Sequence, residues 1–61
     1  MTSTRYAPSP RTLEAARLVA AQLGCDEEEA LRRLRARAES LQYRVHTYAL
    51  MVIDGMVRFD L

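Results

Sequence analysis

Leu23-Gly24-Cys25-Asp26-Glu27-Glu28-Glu29-Ala30-Leu31-Arg32-Arg33-Leu34-Arg35-Ala36-Arg37-Ala38 is the stretch on which the fold turns. Gly24 closes a helix, because glycine enters the left-handed region without a Cβ penalty. Asp26 opens the next helix as its N-cap, and Glu29 stands three residues on, in the capping-box position. Glu27, Glu28 and Glu29 suit the positive end of the helix dipole, so capping rather than metal binding is the expected work of this acidic knot. With about 100° per residue, Ala30, Leu31, Leu34 and Ala38 fall within roughly 100° of arc, an apolar stripe predicting a helix through about Glu39. Arg35 and Arg37 border that stripe on opposite sides, while Arg32 and Arg33 point outward. These arginines read either as a solvated flank or as a nucleic-acid footprint.

Upstream, Ser9 followed by Pro10 makes a good helix start, because Ser caps and Pro in the first position loses no needed hydrogen bond. Residues 11–23 are strong helix formers with Leu13, Ala16, Ala20 and Leu23 at three- and four-residue spacing. Residues 1–8 lack periodicity and are expected to form a flexible arm. Downstream, Ser40 offers a third cap or a weak point. Beyond it Leu41, Val45, Tyr48, Ala49, Val52, Ile53 and Met56 recur at helical spacing, predicting a third helix that ends at Asp54 with Gly55 closing it. The tail, residues 56–61, alternates apolar and polar residues, a pattern suited to packing back on the bundle or adding to a partner. The expected fold is all-α, a small three-helix bundle over residues 9–61. A core of this size supplies only about 3–5 kcal/mol, so completion by a homodimer is expected, with Tyr48, Met51, Val52 and Met56 as the dimer or partner surface.

The chain has 61 residues, nine basic and eight acidic, for a net charge of +1. That length excludes two domains. One Cys forms no internal disulfide, and one His with one Cys builds no four-ligand zinc site. The longest uncharged run of note, residues 45–53, is far short of the ~20 residues a membrane span needs, and the N-terminus carries no secretory signal. A reduced, cytoplasmic protein without cofactor or metal is expected. The near-neutral total hides an uneven distribution: residues 26–29 are all acidic, whereas residues 31–46 hold Arg32, Arg33, Arg35, Arg37 and Arg44 against Glu39 alone. Every basic residue is Arg. A GC-rich coding sequence accounts for that preference, not for where the arginines sit; arginine also forks onto phosphate and stacks on bases, which lysine cannot do.

Catalytic constellations are absent, and no enzyme is expected. His46, the lone histidine, reads as a surface or boundary residue. Cys25 reads as a small apolar residue beside the turn, although the start of a helix can lower a thiol pKa. There is no Cys–His–acid spacing, no glycine-rich phosphate loop and no nucleophilic Ser motif.

Two known patterns touch this region. Val19, Ala20, Leu23, Gly24 and Cys25 match the DNA-binding helix-turn-helix, but that pattern then buries an apolar residue where Arg33 stands. The second is more complete. Ala15, Gly24, the acidic run to Glu29 and Ala30, then Leu34, Arg35, Ala38, Arg44, Val45 and Ala49 form an ordered set over residues 13–53. This set resembles the ANTAR domain, the three-helix RNA-binding module of bacterial antitermination regulators. Where the family has a basic residue followed by Gly, this chain has Ala16 and Arg17; where the family often has Asn, it has Gln42, whose amide makes the same bonds with more reach.

The resemblance implies a dimer that binds paired stem-loops near a terminator and favours the antiterminated transcript. Arg35, Arg44 and Gln42 match family positions and are the expected contacts; Arg17 and Arg37 would clamp the backbone, and Tyr43 would stack a loop base or remain a boundary aromatic. Such reading targets exposed loop bases, since the A-form major groove is too narrow for side chains. It requires guanidinium groups from separate helices to converge on one exposed surface. The family's usual sensor domain has no room in 61 residues, so regulation is expected through expression or a partner. The rivals are a helical protein–protein interaction module and a DNA-binding helix-turn-helix.

Overall fold

A computed structural model describes residues 9–59. Three helices make up the fold: α1 (Pro10–Leu23), α2 (Glu27–Ser40) and α3 (Val45–Ile53), with no strand among the described residues. The flexible arm expected over residues 1–8 lies outside the described residues, as do the last two residues of the tail.

The first two helices start and stop by local chemistry. Ser9 Oγ accepts the Thr12 N–H at 3.2 Å, with Pro10 in the first turn. Gly24 takes φ 72°, and its N–H donates to the Ala20 carbonyl at 2.8 Å, closing α1. Asp26 Oδ1 accepts the Glu29 N–H at 2.8 Å. The Glu29 carboxylate, however, engages Arg32, and Arg33 Nε at 2.8 Å. Those guanidinium groups, Arg32 first, hold the Glu29 carboxyl below its ordinary range.

The helices meet through small residues. Ala15, Ala16, Val19, Ala30, Leu34, Ala38, Tyr48, Ala49, Val52 and Phe59 form the core, with Thr12 buried beside them. Five alanines in that set let the helices approach closely, leaving Leu34 the largest fully buried side chain. α1 packs broadly on both α2 and α3, which touch each other less. Ser9 Oγ lies 3.0 Å from His46 Nδ1, and Phe59 N–H donates to Gln22 Oε1 at 2.8 Å, which ties α3 and the tail after it to α1.

Four expectations are corrected. The buried stripe of α1 is Thr12, Ala15, Ala16 and Val19, and Leu13 is exposed; a helix held between two neighbours buries a face where only small side chains fit. Ser40 caps nothing: it is the last residue of α2, and the chain reverses through residues 41–44 before α3 begins at Val45. Leu41, apolar but exposed, disguised that turn as helix. Gln42 and Arg44 therefore sit in the turn, not on the last helix. Finally, Tyr48 and Val52, each only 2% exposed, belong to the chain's own core and are closed to a partner. Of the expected partner surface, Met51 is half-buried and Met56, at 68%, is exposed.

The described tail packs back. Phe59 is 7% exposed and meets Tyr48 edge-on, with ring centroids 6.3 Å apart. No helix among the described residues is long and apolar enough to cross a membrane.

Candidate nucleic-acid interface

Charge is unevenly spent along α2. At its start, Arg17 Nε pairs with Glu27 Oε2 at 3.2 Å, and Glu29 takes both Arg32 and Arg33. The acidic knot thus answers three of the nine arginines. All these pairs are largely exposed, so they contribute little to stability. The second half of α2 and the turn after it hold Arg35, Arg37 and Arg44 against Glu39, and the positive balance is concentrated there.

That turn is built by three closing hydrogen bonds: Leu41 N–H to the Arg37 carbonyl at 3.1 Å, Gln42 N–H to Glu39 at 3.0 Å, and Tyr43 N–H to Ala38 at 2.8 Å. They satisfy the last carbonyls of α2 and drive Gln42 to φ 64°, the one non-glycine residue with positive φ among the described residues. Left-handed backbone costs an L-residue about 1–2 kcal/mol. Arg44 occupies the N-cap position of α3 without a side-chain cap, so backbone N–H groups of the first turn stay available to an anion. Gln42, Tyr43 and Arg44 stand exposed in consecutive positions.

Behind the turn runs a ladder of rings. Tyr43, 42% exposed, lies 5.5 Å from Tyr48 with planes tilted 34°. Tyr48 meets Phe59, and the Arg37 guanidinium carbon stands 4.3 Å from the Phe59 ring centroid. Such a cation–π contact is worth about 0.5–1 kcal/mol at an exposed site. The ladder joins the turn to Arg37, two sites the sequence presented as unrelated.

Not every expected contact shares this surface. Arg35 and Arg37 are about 160° apart on α2. Arg35 lies beside Arg32, Ala36 and Glu39 around a shallow depression of about 270 Å³, whereas Arg37 shares its flank with Arg33, Ser40 and Phe59. Arg17 is tied to the opposite end of α2 from Gln42 and Arg44, roughly 20 Å of helix axis away. Two participants on the Arg37 flank were not expected, Ser40 and Phe59. The i, i+4 spacing of Arg33 and Arg37 was a usable signal for that flank; the return of Phe59 had none.

Compared with family models, curated proteins and solved structures, the chain matches none.

Proposed function

We propose that this chain is an RNA-binding regulator of the antitermination type, taking hairpin-loop RNA on the surface formed by the α2–α3 turn and Arg37. One observation carries the reading: Gln42, Tyr43 and Arg44 are exposed side by side just past the C-terminal end of α2, with the Tyr43 ring backed by Tyr48. An amide for base edges, a ring for stacking and a guanidinium for phosphate are what an unstacked loop base requires. The likeness of residues 13–53 to the ANTAR domain supports the same reading. Arg35 serves as a contact on the other flank of α2, and Arg17 joins only by leaving Glu27.

A mobility-shift titration against two linked hairpins tests this. Arg44→Ala is expected to weaken binding about tenfold, a loss of about 1.4 kcal/mol, and Arg35→Ala less. With three arginines on phosphates, log K should fall with log salt at a slope of about −2, or about −3 if Arg17 also engages. A slope near zero, or equal retention of duplex DNA, rejects the reading. Pairing of two hairpins calls for two copies of the chain, with Met51 and Met56 left to carry the contact. Light scattering that returns one chain's mass throughout the micromolar range rejects the dimer.

A further inference from the structure

The Arg37 flank of α2 opens into a cleft of about 330 Å³, whose wall is formed by Arg33, Arg37 and Ser40 over the apolar Leu23 and Phe59. This volume lies at the small end of the about 300–1,000 Å³ typical of ligand clefts. A helical duplex is too large for a cleft of that size. One side of the Arg37 guanidinium is covered by the Phe59 ring; the other faces away from it. Among the described residues, no carboxylate pairs with Arg37. Arg33 commits its Nε to Glu29, leaving its two terminal amino groups outside that bond. Ser40 adds a hydroxyl.

We propose that this cleft binds a single nucleoside monophosphate unit, with the base against the open side of Arg37 and the phosphate on Arg33 and Ser40. Guanidinium planes stack on bases, and guanidinium forks suit phosphate oxygens. The proposal rests on the RNA-binding reading, in which the unit is one loop nucleotide splayed out of its stack. A free mononucleotide offers the same chemistry, and the test separates the two sources.

Two titrations of the full chain decide it. In the first, nucleoside 5′-monophosphates and inorganic phosphate are added while backbone amide resonances are followed. The amides of Arg33, Ala36, Arg37, Ser40 and Phe59 are expected to shift saturably, with inorganic phosphate at least tenfold weaker. In the second, loop residues of the hairpin RNA are replaced one at a time by abasic units. One replacement should weaken wild-type binding about tenfold and have little further effect on Arg37→Lys, which keeps the charge but loses the plane. Arg33→Ala, which leaves the Arg37–Phe59 contact in place, serves as a second variant and should weaken the mononucleotide shifts several-fold. Coupling to an abasic position without mononucleotide shifts supports the cleft as a loop-nucleotide site. Shifts without any hairpin binding support it as a free-nucleotide site, and the RNA reading alone fails. Hairpin binding with neither shifts nor coupling overturns the cleft and leaves the RNA reading intact. Phosphate binding as tight as nucleotide binding overturns the nucleotide assignment.

Discussion

The two junctions of this bundle solve the same problem, ending one helix and starting the next, in opposite ways. Between α1 and α2, Gly24 takes the left-handed position, Asp26 caps the next helix, and Glu27 and Glu29 are paired with arginines. Between α2 and α3, the left-handed position is held by Gln42, the N-cap is Arg44 without a capping bond, and Tyr43 is left exposed. The first junction follows local preference at every step. The second departs from it while keeping polar and aromatic side chains in the open, the pattern expected where a surface serves something other than stability.

The sharpest way to break this contrast is to remove what supports the second junction from within. Phe59→Ala is expected to cost about 3 kcal/mol, as for other buried aromatics, and to release Arg37 from its ring. Chemical denaturation measures the loss; a change under 1 kcal/mol would mean that the tail contributes little to the fold. Next come two opposed substitutions at the left-handed positions. Gly24→Ala should destabilise by about 1–2 kcal/mol from backbone strain alone, since open space surrounds its would-be Cβ. Gln42→Gly should stabilise by up to about 1 kcal/mol while weakening the RNA binding proposed for this surface. If both shift stability in the same direction, the contrast drawn here is wrong.

The smallest effect concerns acid. The Glu29 carboxyl titrates below its ordinary value of 4.5, chiefly because of Arg32 and then Arg33. A lowered folded-state pKa means that its contribution is complete above the unfolded value and fades as pH falls through the folded one. The acid limb of a stability-against-pH curve should therefore be shallower in Glu29→Gln. Since both partners are exposed, the difference is expected to be slight and to diminish further in salt.

Much of the scaffold was readable along the chain. Ser9, Gly24 and Asp26 act through partners three or four residues away, so they announce α1, its end and the start of α2 without knowledge of anything distant. The stripe Ala30, Leu34 and Ala38 was equally plain. The candidate surface was harder. Arg37 and Arg44 were visible as charges, but their relation was not, because three aromatic rings, Phe59, Tyr48 and Tyr43, connect Arg37 to the turn. Leu41 concealed a turn because apolar periodicity does not distinguish a helical residue from an exposed one beside a helix. Tyr48 and Val52 looked like an excess of apolar surface, but both lie in the chain's own core, Tyr48 against Phe59 of the returning tail.

Near-neighbour hydrogen bonding and helical periodicity thus determined by themselves that this chain makes helices, and where the first two begin and end. Tertiary structure alone decided which apolar residues are interior and which arginines share a flank. The hydrogen bonds that tie α3 and the tail to α1, Ser9 with His46 and Gln22 with Phe59, each span 37 residues. Bonds over such distances depend on how three helices pack, and packing is a property of shape that no local pattern records.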